Sequence, residues 1–191
     1  VLGSTANSLD VAKDSYTMVT GHTNGCLRFW DIRTGEKNAE IKSVHKAAIT
    51  SVQFHPLDIS KVLTNGMDSI IKIMDVRTGK AVHEFRHHDF QTSYNWSSSV
   101  FSPDGAYVAA GSSSNGFVFV WNAKNGKLRM TGASDGRRSG FIESEPHVKE
   151  SLASFCYILK HNLCSPLNRT RRLEEAGWHA GFGGACREAR A

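Results

Sequence analysis

The chain has 191 residues, 40% of them apolar, and a formal net charge of +5, which is enough material for one ordinary domain with a core. No stretch approaches the roughly 18 consecutive apolar residues of a membrane span, and the start, Val1-Leu2-Gly3-Ser4, lacks the basic flank and apolar run of a signal peptide. The charge excess is spread, +3 over residues 1–130 and +2 over the remainder, so no basic groove for nucleic acid is expected.

The chain begins without Met and reads as a piece of something longer. Residues 9–11 and 16–20 alternate as strands, 22–25 supply turn residues, and 26–31 form a third strand ending in Trp30-Asp31. After the turn at 33–36, residues 37–41 read as a short, charged outer strand, the kind of edge that resists pairing with a neighbour.

The same order returns over 44–86: a strand at 48–54, another at 61–65, a turn at 66–69, a strand at 70–75 and an outer strand at 81–85. It returns again from Trp96, with the turn Ser102-Pro103-Asp104-Gly105, strands at 107–111 and 117–121, and an outer strand opening at 127–130. Four strands in sequence make one antiparallel meander. From Asp31 to Asp75 to Asn122 the spacing is 44 and then 47 residues, the period of a four-stranded propeller blade.

The expected fold is therefore all-β, a partial propeller of about three blades over 1–43, 44–93 and 94–130. Residues 131–191 break the pattern, with Gly/Arg/Ser runs and one candidate helix over 150–160, and are expected to form a poorly ordered, non-repeat tail. Three blades do not close a ring, so the chain on its own is expected to be unstable or oligomeric.

Cys26, Cys156, Cys164 and Cys186 show no Cys-x-x-Cys spacing and read as reduced thiols of a cytoplasmic protein. Among the nine His, the pair His87-His88 is adjacent in sequence, poor spacing for a shared metal, and no metal or cofactor is expected. No nucleophile elbow, P-loop, dinucleotide fingerprint or His-Glu-x-x-His occurs, so the expected activity is binding and not catalysis.

The repeat resembles the WD40 family over about 130 residues, through Trp30-Asp31, Met74-Asp75 and Trp121-Asn122. The resemblance implies a tetrad of His, Ser/Thr, Asp and Trp in each blade. His45 and Asp68 match its His and turn Asp in the second blade, Met74 and Asn122 depart from it, and no blade keeps the whole set. Trp30 and Trp121 are expected to pack between blades, with Asp31, Asp68 and Asp75 fixing turns.

A narrower similarity, in Arg28 to Arg33, Ile73 to Thr78 and Trp96 with Val100 to Ser112, is to the C-terminal blades of the autophagy-related protein 16 family. It implies a protein-interaction scaffold of the autophagy pathway that recruits partners to membrane-associated conjugation machinery. The implied partners are conjugation-complex components or endolysosomal receptor tails, met at autophagosomal or endolysosomal membranes. That family's conjugate-binding segment and coiled coil do not occur in this sequence. Gly136-Arg137-Arg138-Ser139 lacks the Phe of the Phe-Arg-Arg-Gly signature of lipid-binding propellers.

Candidate protein contacts are Arg33, Arg77, His88, Phe90 and Tyr94. The last three lie on the long connection 87–96, because loops carried on a rigid sheet commonly bear recognition; Trp96 there is expected to pack. Trp30-Asp31-Ile32-Arg33 also resembles the Trp-Asp-x-Arg box of cullin-RING ligase substrate receptors, with Arg33 as the contacting charge. A substrate receptor, or a truncated fragment without function, are the alternatives.

Overall fold

The computed structural model describes residues 3–133 and 139–141. The tail expected over 131–191, with its candidate helix at 150–160, lies otherwise outside the described residues. Within them all regular structure is β, in three antiparallel sheets.

The first sheet is a meander of β1 (Ala6–Val11), β2 (Thr17–His22), β3 (Leu27–Asp31) and β4 (Lys37–Ile41). The second repeats it with β5 (Ile49–Phe54), β6 (Lys61–Gly66), β7 (Ile70–Asp75) and β8 (Lys80–Phe85). The third has β9 (Ser99–Phe101), β10 (Tyr107–Gly111), β11 (Phe117–Asn122) and β12 (Leu128–Ala133), and adds a fifth strand, β13 (Ser139–Phe141), beside β12. The last two strands carry regular structure past residue 130: Met130 pairs with Phe141 and Gly132 with Ser139.

Each β3-type strand ends in the same turn. The Oδ1 of Asp31, Asp75 and Asn122 accepts the main-chain N–H two residues on, at 2.8, 2.8 and 2.9 Å. The carbonyl of the same residue accepts from Gly35, Gly79 and Gly126 at 2.8, 2.8 and 2.9 Å. The turn requires a short side chain with an acceptor oxygen three bonds from Cα, which Asn122 supplies as well as Asp does.

The core lies between the sheets. Paired residues of antiparallel strands share a face, and strand residues alternate faces. One face of the first blade, Val19, Leu27 and Phe29, packs on Val52, Phe54, Val62 and Met74 of the second. The other face of the second blade, Leu63, Ile71, Ile73 and Phe85, packs on Phe101, Val108, Ala110, Phe119 and Trp121 of the third.

Trp121 packs between blades, fully buried and stacked on Phe119 at 5.6 Å. Trp30 departs from the expected packing between blades. Register puts it with Leu9, Val11 and Met18 on the face of the first blade turned away from the second, where it is half-buried. No described blade packs against that face, so Leu9 and Val11 stay exposed.

Candidate functional site

Polar side chains of each blade are spent first on holding the blade. In the second, His45 Nδ1 lies 2.9 Å from Asp68 Oδ1 and its Nε2 lies 2.8 Å from Thr64 Oγ1, with the ring buried. Burial alone raises the Asp68 pKa, but the bond and charge of His45 and the N–H groups of Lys46 and Ile70 outweigh it and hold the carboxyl below its usual range. Met74 stands where a Trp would complete the set.

In the first blade Trp30 Nε1 donates to Thr20 Oγ1 at 2.9 Å, and that hydroxyl lies 2.9 Å from His22 Nε2. Here the His comes from the end of β2, where the sequence reads as the opening of a turn. Burial, and then the charge of Arg28 whose Nη1 lies 3.2 Å from the ring, push the His22 pKa down. Arg28 is buried and paired with Glu40 at 3.0 Å.

Arg33 and Arg77 are exposed on equivalent turns. The Arg33 guanidinium is held by Asp31, with Nη2 2.9 Å from Oδ2 and Nε 3.2 Å from Oδ1, and lies over the Tyr16 ring at 4.7 Å. The hydrogen bond from Arg33 lowers the Asp31 pKa to about 2. Arg77 is held more loosely, its Nε 3.6 Å from Asp75 Oδ1.

The connection between the second and third blades gathers the remaining candidates. Phe90 is a correction: it is 1% exposed, set edge-on to Phe119 and Trp121 at 5.6 and 5.5 Å, so it offers a partner no surface. An apolar ring in a connection next to an interblade seam gains more by entering the seam than by staying in water. Its burial anchors the connection.

Beyond that anchor Tyr94 and Trp96 stack in parallel, centroids 4.7 Å apart and planes 5° apart, and are 46% and 65% exposed. Trp96, expected to pack, is instead largely exposed to solvent. His88 projects outward at the other side of Phe90, with Nε2 3.0 Å from Asp89 Oδ2. Ser112, Ser113 and Asn115, from the loop leading into β11, hold the connection through the carbonyls of Asp89 and Gln91 at 3.1, 2.8 and 2.8 Å.

A shallow depression between the second and third blades, bordered by His55, Lys61, His83 and Lys124, brings basic groups together. Lys61 is paired with Asp58 at 2.9 Å. Gly105 also lines the depression, and its missing Cβ lets the His55 ring lie directly on the turn.

The period of 44 and then 47 residues, the three meander sheets and the repeated Asp/Asn turn define a partial propeller of WD40-type blades, and the family model described as "WD domain, G-beta repeat" matches residues 79–122. Among its relatives, the chain is similar to Protein tipD of Dictyostelium discoideum, 36% identical over 65% of this chain and 20% of the relative. It is likewise similar to Autophagy-related protein 16 of Arabidopsis thaliana, 37% identical over 65% of this chain and 24% of the relative. Protein Atg16l2 of Mus musculus is 34% identical over 64% of this chain and 19% of the relative. The chain thus spans a quarter or less of the length of these curated relatives. Among the described residues no helix is long and apolar enough to cross a membrane.

Proposed function

We propose that the blades form a non-enzymatic protein-interaction module of the autophagy pathway, recruiting partners to membrane-associated conjugation machinery through the connection between the second and third blades. The stacked, exposed Tyr94–Trp96 pair carries this reading. Large aromatics anchor interfaces because each buries much apolar area at small entropic loss. Exposing two side by side in water, on a connection already pinned by Phe90 and Asn115, presents a preorganised anchor to a partner. The relatives named for autophagy supply the pathway.

The partners proposed are components of the autophagy conjugation complex or the cytoplasmic tails of endolysosomal receptors. Pull-down with the full chain tests this. The double variant Tyr94→Ala/Trp96→Ala is expected to lose partners that the wild type captures. Capture unaffected by the double variant, or failure of the folded wild type to capture either class, overturns the reading. The ligase-receptor alternative gains no support from geometry, since the Arg33 guanidinium already has its carboxylate in Asp31.

A further inference from the structure

His87, His88 and Asp89 are consecutive, a spacing that on a strand or helix would send the two rings apart. Here a turn, closed by the Phe90 N–H donating to the His87 carbonyl at 3.1 Å, folds them back on one another. One ligand-capable atom from each of the three lies within 4.8 Å of the others. The rings sit 4.1 Å apart, Asp89 Oδ2 is 3.0 Å from His88 Nε2, and it is 3.9 Å from His87 Nδ1.

We infer that this turn is a divalent transition-metal site, with Zn2+ as the ion of choice, bound by two imidazoles, one carboxylate and solvent. Zn2+ takes four ligands at about 2.0–2.2 Å, which in a tetrahedron stand about 3.4 Å apart. The observed separations bracket that value. Two imidazoles and one carboxylate are a borderline donor set, suited to Zn2+, Cu2+ or Ni2+ and poorly suited to Mg2+ or Ca2+.

Most of the ordering is done before the ion arrives. Phe90 is locked in the interblade core, the His87 ring lies 5.1 Å from that of Phe119, and the Asp89 carbonyl is held by Asn115 and Ser112. The His88 and Asp89 side chains, 80% and 48% exposed, have room to adjust and close the set. One opposing interaction is lost when the ion takes Nδ1 of His87: that atom accepts the Asp89 N–H at 3.2 Å. This long, neutral bond on the protein surface is weaker than a zinc–imidazole bond.

The test is calorimetric titration of the full, EDTA-stripped chain with Zn2+ alone, beside His88→Ala and Asp89→Asn. Co2+ in place of Zn2+ reads the coordination number from its visible absorption. The wild type is expected to bind with a component that both variants weaken at least about tenfold, since loss of an outer-shell partner alone costs that much. The Co2+ spectrum is expected to show intense four-coordinate bands that the variants lose. His88 is exposed and Asp89→Asn preserves shape, so far-UV circular dichroism is expected to be unchanged. Equal Zn2+ affinity in all three chains, no binding at all, or a six-coordinate Co2+ spectrum overturns the inference, whatever the pull-down shows.

Discussion

Asp10 Oδ2 accepts the main-chain N–H of Phe54 at 2.7 Å, across 44 residues and from one blade to the next. Gln53 Oε1 does the same for Phe101 at 2.7 Å, and Ser8 and Ser51 serve Val52 and Ser99 at 3.1 and 3.0 Å. The innermost strands of adjacent blades belong to separate sheets. Their facing N–H groups would go unpaired without these side chains, and each buried, unpaired donor is costly. Ser98 holds the corresponding place in the third blade, and its buried hydroxyl has no partner among the described residues.

Asp10→Ala and Gln53→Ala are each expected to destabilise by about 1–3 kcal/mol, the cost of leaving a buried N–H unpaired. Asp10→Asn keeps a carbonyl acceptor in place and is expected to cost much less. Urea unfolding curves at one pH check all three. Equal losses for Asp10→Ala and Asp10→Asn would show that carboxylate charge, not the acceptor, matters there.

Asp68 gives the second blade an acid-sensitive joint. Its folded pKa lies below the unfolded value, so the stabilisation is fully present above the unfolded pKa of about 3.9 and is lost as pH falls through the folded pKa. Asp68→Asn is therefore expected to lower the unfolding midpoint at pH 7 and to lose less than the wild type on acidification below pH 4. Thermal melts followed by circular dichroism from pH 7 to pH 3 make the comparison.

The His22 and His55 rings are both held neutral, chiefly by burial, with pKa values below the usual His value. A buried neutral His favours unfolding once the unfolded chain protonates, so stability is expected to fall between pH 7 and pH 5.5. His22→Gln is expected to flatten that part of the profile. A wild-type midpoint independent of pH over this window would contradict it.

Gly105 sits at φ +72° with the His55 ring against its Cα, so a side chain there meets both an unfavourable backbone and an occupied space. Gly105→Ala is expected to cost about 1–3 kcal/mol through backbone strain, with ring displacement added. Gly35, at φ +71° with open space around it, is expected to lose only the backbone part on substitution by Ala. The difference between the two variants in chemical denaturation isolates the steric share.

Much of the architecture was legible because it is local and periodic. Alternation gave twelve strands, and the Asp31, Asp75 and Asn122 turns marked where each third strand stops. The site was less legible. Phe90 looked like a contact because it lies in a polar connection, yet an aromatic beside an interblade seam is drawn into it. Trp96 looked like core because Trp usually is, yet it follows Phe90 at a distance that carries it past the seam. His22 went unrecognised as the partner of Thr20 because residues 22–25 read as a turn, whereas His22 is the last residue of β2.

Repeat period, strand alternation and turn chemistry follow from interactions between residues close in the chain, and these the amino-acid sequence determined by itself. Which face each blade turns to its neighbour, which aromatic is buried and which stacks in water, and that His87, His88 and Asp89 meet are questions of how separate sheets and turns sit in space. Only the tertiary structure decided them, because the energy that settles each one is burial against residues tens of positions away, to which local spacing is blind.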